Sequence, residues 1–363
     1  MSEQRNAITK LLENFTISAW VIDSEQNIVY MNPHMQELFG DLSGNKTSII
    51  YESTSFELIN GGDDEASGST EVIITDVPFR RLSSMVDLGD EGYFHVELFE
   101  DISEEKHISD SMTKTLSKIN AETKMARTIQ NSILPIDDTY WNTIAFSSLY
   151  VPADDVGGDF YDVMKLNDDE FLIYVADVAG HGIQASLLTI YMRERVRTNI
   201  EAALTGTGDL LAKLVDDFCA LDIDFSMYVT MALCKYTKSR KELSISNAGH
   251  NCYPLILRDN GKAITIPTKG MPVCAIADGI NYDEELVNMN PGDRLIMYTD
   301  GIVEEVDSVT GKAFGPEGVR ELAERYHEYN GSYLARKIMD ESARFALISA
   351  KDDRTILVAD ILS

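Results

Sequence analysis

Four acidic motifs recur in the second half of this chain, and they constrain its chemistry more than any other feature. The motifs are Gly157-Gly158-Asp159, Asp177 to Gly182, Thr299-Asp300-Gly301 and Asp352-Asp353-Arg354-Thr355. Three of them adjoin apolar runs that predict β-strands, with Asp159 and Asp177 expected to follow or end a strand. Carboxylates brought together from separate strand ends repel each other, by about 4 kcal/mol for a pair ~4 Å apart at an effective dielectric of ~20. A divalent cation offsets that repulsion, and an oxygen ligand set favours Mg²⁺ or Mn²⁺, so the motifs predict a metal-dependent hydrolase.

The size and charge of the chain limit its organisation and its partners. Its 363 residues exceed one ordinary hydrophobic core, so two domains joined by a helical linker are expected. The formal net charge of -29 argues against a nucleic-acid partner, because no phosphate-neutralising surface is evident. The N-terminus lacks the apolar region of a signal peptide, and no apolar run approaches the ~20 residues of a membrane span. We therefore expect a soluble cytoplasmic protein with no membrane partner.

The four cysteines are Cys219, Cys234, Cys252 and Cys274. They are scattered and show no C-x-x-C spacing, which predicts neither a zinc site nor a disulfide framework. Cys219 and Cys234 stand among apolar neighbours and are expected to be core residues.

Residues 7–105 predict a small α/β domain. Trp20 to Asp23 and Ile28 to Asn32 predict two strands, and a helix is expected to begin near Pro33. Three later strands are predicted, and the acidic stretch Gly61 to Gly68 predicts a loop. The unit resembles a PAS sensor domain in Val21-Ile22-Asp23, Tyr30-Met31-Asn32-Pro33, Glu37-Leu38-Phe39-Gly40 and Phe99 to Lys106. No cysteine precedes Cys219, which excludes a flavin-thiol photosensor, and the alternative is an α/β domain without a sensory role.

Residues 106–134 predict a helical linker, because they contain neither glycine nor proline. An imperfect heptad seam runs along it through Ile108, Met112, Ile119, Ala126, Ile129 and Ile133, with Thr115 and Glu122 as interruptions. Such a seam favours a parallel coiled coil and hence a homodimer, with a lone linker helix as the alternative. Pro135 is expected to end the helix.

Residues 135–363 predict strands with inserted helices. The strands are Ile144 to Val151, Phe171 to Asp177, Met227 to Tyr236, Leu243 to Asn247, Pro254 to Arg258, Arg294 to Thr299 and Thr355 to Ile361. Two long helices are expected between Gln184 and Leu221, and two more from Pro316 and from Ser332. Clustered strands with paired helices imply an α+β fold in which a β-sandwich is flanked by helices.

The ordered motifs of this second domain resemble the bacterial PPM-type serine phosphatases of the RsbU and SpoIIE group, which share the PP2C fold. Besides the four acidic motifs, the resemblance rests on Ala126 to Pro135, Asn247 to Asn251 and Pro291 to Arg294. Two features depart from the broader PP2C pattern. Members of the broader group commonly carry a phosphate-binding arginine a few residues before the first metal aspartate, but residues 151–155 contain none before Asp159. Those members also carry a histidine that could be the general acid at the position where this chain has Ala179. Cys274 also occupies a position that is often glycine.

The resemblance implies a set of site residues. Asp159, Asp177 and Asp300 would be metal ligands that act in catalysis through a metal-activated water. Val178 would add its backbone carbonyl, and the fourth carboxylate would be Asp352 or Asp353, with Asp352 favoured. Such enzymes hold two Mn²⁺ or Mg²⁺ ions, and the water attacks phosphorus without a covalent phosphoenzyme. Taken singly, each aspartate is equally explained as a helix cap or turn residue. His181 and His250 are expected to be structural, which leaves the leaving-group acid open.

The implied function is a protein serine/threonine phosphatase under the control of the PAS-like domain. By resemblance, its substrate is a phosphorylated STAS-type anti-anti-sigma factor in a partner-switching pathway. One alternative is an inactive phosphatase-like module that only binds phosphorylated partners. A second alternative, a nucleotidyl cyclase, is disfavoured because the Gly-x-Gly segments lack the spacing and the lysine of nucleotide-binding loops.

Overall fold

The computed structural model describes residues 3–48, 56–60, 69–136, 138–140, 142–180, 182–221, 223, 226–277, 279–307, 311–345 and 352–362. The chain forms two compact units, Met1–Lys118 and Ile119–Ser363. The division falls within the segment predicted as a linker. No helix within the described ranges combines the length and the apolar character that crossing a bilayer demands.

The first unit is built on a six-stranded antiparallel sheet with the order β2-β1-β6-β5-β4-β3. Its strands are β1 (Ser18–Asp23), β2 (Ile28–Met31), β3 (Phe56–Asn60), β4 (Ser69–Ile74), β5 (Val77–Asp87) and β6 (Tyr93–Asp101). Helices α1 (Glu3–Leu12) and α2 (Pro33–Phe39) accompany them, and Asn32 caps α2 by accepting a hydrogen bond from the Met35 amide. Trp20 is fully buried and donates its indole N–H to Glu97 at 2.9 Å. The sequence pattern predicted the strands of this sheet except β3, and the predicted loop at 61–68 lies outside the described residues.

Helix α3 (Ser103–Ile133) covers the predicted linker and begins three residues before it. At ~1.5 Å per residue its length is roughly 45 Å. Large apolar side chains lie exposed along it, namely Ile108, Met112, Leu116, Ile119, Met125 and Ile129. Several exposed large apolar side chains on one helix indicate an interaction surface, which a partner helix could cover.

The second unit contains two further sheets, with the orders β15-β12-β11-β10-β9 and β14-β13-β16-β17-β8-β7. Their strands are β7 (Asp138–Tyr140), β8 (Ile144–Val151), β9 (Asp159–Lys165), β10 (Glu170–Val178), β11 (Val229–Thr237), β12 (Glu242–Ala248), β13 (Leu255–Leu257), β14 (Ala263–Thr265), β15 (Glu285–Asn288), β16 (Arg294–Tyr298) and β17 (Arg354–Ile361). The helices are α4 (Ile183–Thr198), α5 (Ile200–Thr205), α6 (Thr207–Cys219), α7 (Asp300–Val303), α8 (Gly315–Arg325) and α9 (Gly331–Phe345).

These elements form four layers, as the α+β sandwich prediction requires. One apolar cluster fills the space between the two sheets and includes Ile173, Val175 and Leu357. A second cluster packs α4 and α6 on the β9–β12 sheet, and a third packs α8 and α9 on the β16–β17 sheet. Strands β9, β10 and β17 are buried on both faces, and because successive side chains point to opposite faces, the cluster between the sheets contains their odd-numbered residues.

Two local predictions were wrong. Three helices, not two, lie between residues 183 and 219, because the chain breaks at Asn199, whose side chain donates to the Arg195 carbonyl at 2.8 Å. Asp159 begins a strand and does not follow one. The pattern missed strand β9 because the fully buried Asp162 interrupts its apolar run, and Arg193 lies 3.0 Å from that carboxylate.

Candidate active site

Two of the predicted ligands face each other across neighbouring strands. Asp159 at the start of β9 is directly opposite Asp177 near the end of β10. Both are odd-numbered, so the alternation of these strands turns their side chains toward the other sheet. Val178 follows Asp177 as a buried residue, and its amide donates to the Gly158 carbonyl at 3.1 Å.

The second sheet supplies the other carboxylates. Asp300 is the first residue of α7 and comes two residues after the end of β16. Asp352 and Asp353 directly precede β17, the neighbour of β16. The four acidic motifs therefore meet at one end of the sandwich, where strand ends from both sheets come together.

Asp159 is held in place by two hydroxyl groups that the sequence analysis did not assign. Its Oδ2 atom accepts hydrogen bonds from Thr299 Oγ1 at 2.7 Å and from Thr355 Oγ1 at 2.6 Å. The two threonines are also bonded to each other, since the Thr355 amide donates to Thr299 Oγ1 at 3.0 Å. Both threonines stand inside acidic motifs beside a predicted ligand, and that placement was the signal that could have identified them.

The electrostatics of the cluster disfavour several negative charges. Burial raises the pKa of Asp159 well above its ordinary value, and the charges of Asp177 and Asp353 raise it further. Burial, followed by Asp300, Asp352 and Asp353, raises the pKa of Asp177 to about 7. The pKa of Asp300 is raised by burial and then by Glu304. The carboxylates are thus close enough to destabilise one another, as expected of a site that binds cations.

The two adjacent aspartates of the last motif have different surroundings. Asp353 is buried, and its carboxylate accepts from the amides of Gly158 at 2.5 Å, Asp159 at 3.3 Å and Ala153 at 2.8 Å. Asp352 is exposed, and its Oδ1 accepts from the Asp353 amide at 2.8 Å. A side chain at Gly157 would place its Cβ 2.1 Å from Asp353 Oδ2, so only glycine permits this approach.

Helix α3 reaches the same loop through Gln130, which is 2% exposed. Its Nε2 donates to the Gly157 carbonyl at 2.7 Å, and its Oε1 accepts from the Gly157 amide at 3.2 Å. Nε2 also lies 3.4 Å from Thr189 Oγ1 on α4. Gln130 was noted only as part of a motif, yet it joins α3, α4 and the loop before Asp159.

His250 is a buried part of the fold. Its Nε2 lies 3.0 Å from the Tyr298 carbonyl and its Nδ1 lies 3.2 Å from Thr230 Oγ1. Burial lowers the pKa of this imidazole, which favours the neutral form. The prediction for His181 concerns a residue outside the described ranges.

The chemistry of these side chains fits hard divalent cations. Every predicted ligand atom is an oxygen, and mutual repulsion already raises the pKa values of Asp159 and Asp177. Within the described ranges, no three acidic, histidine or cysteine side chains already form a closed metal-binding group. The roles of the six predicted ligand residues therefore remain predictions.

Comparison with known proteins places the chain in a family. The model of the family "Stage II sporulation protein E (SpoIIE)" matches residues 167–362, which is more than half of the chain. The chain belongs to the SpoIIE family. The matched range includes three of the four acidic motifs, those at Asp177, Asp300 and Asp352.

Two curated relatives are similar to this SpoIIE-family chain over different shares of their length. Phosphoserine phosphatase RsbU of Bacillus subtilis (strain 168) is 22% identical over 66% of this chain and 70% of its own length. Phosphoserine phosphatase RsbP of the same organism is 22% identical over 52% of this chain. That match covers only 46% of RsbP, so the chain spans less than half of this relative.

A solved structure supports the fold of the SpoIIE-family unit. The SiaA-PP2C domain of Pseudomonas aeruginosa matches 69% of this chain and 99% of its own length, with 23% identity and a TM-score of 0.60. The predicted PP2C-like sandwich is therefore confirmed. Family and fold together confirm the predicted enzyme class, a PPM-type serine/threonine phosphatase.

Proposed function

We propose that this protein is a metal-dependent phosphatase that hydrolyses phosphoserine or phosphothreonine in a protein substrate. The observation that carries the proposal is the meeting of Asp159, Asp177 and Asp300 from two sheets. Burial raises all three pKa values, and repulsion from neighbouring carboxylates raises them further, which for Asp300 means Glu304 and Asp353. Such a cluster is costly unless cations offset its charge.

The residues of the proposed site have two kinds of role, metal binding and positioning of the ligands. Asp159, Asp177, Asp300 and Asp352, with the Val178 carbonyl, would hold two Mn²⁺ or Mg²⁺ ions. When bound, the ions supply positive charge at the phosphate and make water a better nucleophile near neutral pH. Thr299 and Thr355 orient the Asp159 carboxylate, and Asp353 fixes the backbone that carries it. His250 is neutral and has a structural role, so we assign it no proton transfer.

Hydrolysis of p-nitrophenyl phosphate by the full-length protein with Mn²⁺ tests the proposal. We expect turnover that EDTA abolishes and that Asp300→Asn loses, while the exposed control Asp340→Asn keeps it. Turnover that survives both EDTA and Asp300→Asn would contradict a metal-dependent site. A folded protein that binds Mn²⁺ but turns over neither this ester nor a phosphoprotein would favour the binding-module alternative.

The substrate is proposed from the relatives. RsbU and RsbP are named as phosphoserine phosphatases, and each matches at 22% identity. By this similarity and by the motifs, we propose a phosphorylated STAS-type anti-anti-sigma factor as the substrate in a partner-switching pathway. Release of phosphate from such a phosphoprotein, at a higher kcat/KM than from p-nitrophenyl phosphate, would support this assignment.

Control of the site is proposed to pass through α3. We infer that the first unit is a PAS-like sensor, and that α3 pairs with its copy in a homodimeric coiled coil. Gln130 supplies the physical link to the site, because it bonds to Gly157 and lies beside Thr189 of α4. A shift of α3 would then move the backbone before Asp159 and change the affinity for metal, which is a population shift between weak and strong binding.

Gln130→Ala is expected to raise the Mn²⁺ concentration for half-maximal turnover by about 10–100-fold, the usual effect of losing a group that orients a metal site. The reason is that both of its hydrogen bonds to Gly157 disappear. Metal titration of p-nitrophenyl phosphate hydrolysis measures this. Asn131→Ala, an exposed amide on the same helix, is the matched control, and equal curves for the two variants would refute the link.

Replacing both Ile119 and Ile129 with Asp is expected to convert the dimer into a monomer. These side chains are 49% and 44% exposed, and two charges in a coiled-coil seam oppose association. Light scattering on the full-length protein gives the mass. The exposed Lys124→Asp variant should remain dimeric, and an unchanged mass in the double variant would rule out the α3 seam as the interface.

A further inference from the structure

A cavity of about 450 Å³ lies beside the proposed active site, and the predicted ligand Asp300 is one of the residues that line it. Its volume falls in the range of about 300–1,000 Å³ that is usual for ligand pockets. Much of the lining is apolar or aromatic, with contributions from Cys252, Tyr298, Val303, Ala313 and Pro316. Among the described residues, no lysine, arginine or histidine lines this cavity. The cavity is thus a largely apolar space that begins at a predicted metal ligand.

Glu304 brings a negative charge to this cavity that the proposed metal site does not use. It lines the cavity and is exposed to solvent. Its amide donates to the Asp300 carbonyl at 2.8 Å, and residues four apart in a helical turn lie on the same face. After burial, the charge of Glu304 is the largest cause of the raised pKa of Asp300. The Glu304 carboxylate is therefore close to the end of the cavity where Asp300 lies.

The chemistry of the cavity matches a long basic side chain. Lysine and arginine cover apolar surface with their aliphatic stems while the charged end stays in water. The apolar lining would contact the stem, and the exposed Glu304 would contact the charged end. Two divalent cations would balance four ligand carboxylates, so the charge of Glu304 would still be available to a substrate. An acidic side chain in the same place would meet Glu304 as a like charge, which is unfavourable.

We propose that this cavity binds a lysine or arginine side chain of the substrate protein close to the phosphorylated serine or threonine, and that Glu304 determines this specificity. The inference rests on the proposed phosphatase function, because the phosphate must lie at Asp300 for a neighbouring residue to reach the cavity. An extended peptide advances ~3.3 Å per residue. The basic residue is therefore expected within about two positions of the phosphorylated one.

Serine-phosphorylated peptides test the proposal with the full-length protein and Mn²⁺. All peptides share a neutral background of glycine and alanine, and a single arginine, alanine or glutamate is placed at each of the two positions before and after the phosphoserine. We expect one position at which arginine raises kcat/KM by about 5-fold over alanine, the scale of an exposed ion pair, and at which glutamate lowers it. An arginine five residues away should give no such preference. This peptide controls for general attraction to a chain with a net charge of -29.

Variants of Glu304 assign the preference to this side chain. Glu304→Gln should reduce the preference for arginine to less than about 2-fold, and Glu304→Lys should reverse it in favour of glutamate. The readout is the ratio of kcat/KM for two peptides on the same enzyme, so a change in overall turnover cancels. Glu328→Gln changes an exposed glutamate outside the cavity lining, and this matched control should keep the wild-type ratio.

Equal ratios in Glu304→Gln and the wild type, or no position that prefers arginine, would overturn the proposal. A higher Mn²⁺ requirement in Glu304→Gln with an unchanged peptide ratio would make Glu304 a cation ligand, and it would overturn the proposal as well. Turnover of p-nitrophenyl phosphate, which has no side chains, tests the proposed function separately. If neither this ester nor any peptide is hydrolysed, the proposed function fails. Fluorescence anisotropy of labelled peptides then decides the cavity, by whether Glu304→Gln loses the tighter binding of the arginine peptide.

Discussion

Asp159→Asn is expected to lower turnover by at least about 10³-fold while making the metal-free protein more stable. The loss of turnover corresponds to about 4 kcal/mol of transition-state stabilisation, a reasonable cost for a metal ligand. The gain in stability follows because Asp159 is 1% exposed and its pKa is raised by burial, Asp177 and Asp353. The amide removes a destabilising buried charge, and its oxygen still accepts from Thr299 and Thr355.

Thermal unfolding in EDTA measures the gain in stability, and each kcal/mol gained is expected to raise the melting temperature by about 2–4 °C. The pH dependence gives a sharper test. A carboxyl group with a raised pKa binds more protons in the folded state, so stability falls as pH rises above its ordinary 3.8. In the wild type, Asp177 extends that fall to about pH 7.

We therefore expect metal-free wild-type protein to lose stability between about pH 4 and pH 7, and Asp159→Asn to lose less. The exposed Asp340→Asn should follow the wild-type curve and keep wild-type turnover. Without metal at pH 7, Asp159→Asn could instead prove less stable than the wild type. That result would show that the hydrogen bonds of the Asp159 carboxylate stabilise the fold more than repulsion from neighbouring carboxylates destabilises it.

The second large effect separates the two adjacent aspartates, Asp352 and Asp353. Asp353→Ala is expected to destabilise the metal-free protein by roughly 3 kcal/mol or more, because buried donors lose their acceptor at ~1–3 kcal/mol each. Those donors are the amides of Gly158 and Asp159, at 2.5 and 3.3 Å from the carboxylate, and the partly buried amide of Ala153, at 2.8 Å, also loses its acceptor. Turnover should fall with it, since the backbone of Asp159 loses its support.

Asp352→Asn is the comparison variant. Its side chain is exposed, and asparagine retains the oxygen that accepts from the Asp353 amide, so metal-free stability should not fall and should rise slightly as a charge that repels Asp177 is removed. Its Mn²⁺ requirement should rise, as expected for a ligand. Unfolding in EDTA and metal titration of turnover separate the two roles. Equal loss of metal-free stability in both variants would show that the division of roles is wrong.

Much of the catalytic unit was predictable because its signals are local. Apolar runs located β8, β10, β11, β12, β16 and β17 to within a few residues, and Gly157 and Gly158 marked the turn before Asp159. The acidic motifs predicted a metal-dependent hydrolase, and the resemblance of the ordered motifs to the bacterial PPM-type group predicted the phosphatase class. The first unit was predicted less completely, and its PAS-like character stays a prediction.

What the sequence by itself determined was the type of chemistry, because residue types and their spacing fix which oxygen ligands the chain can offer. Only the tertiary structure decided which residues serve that chemistry from a distance. Gln130 lies 27 residues before Gly157, and Thr355 lies 196 residues after Asp159, yet both bond at the site. Asp162 hid strand β9 from the sequence pattern, and its buried charge is tolerated because Arg193 and Arg197 of the separate helix α4 both pair with it. Contacts of this kind depend on how sheets and helices pack, and no local pattern encodes them.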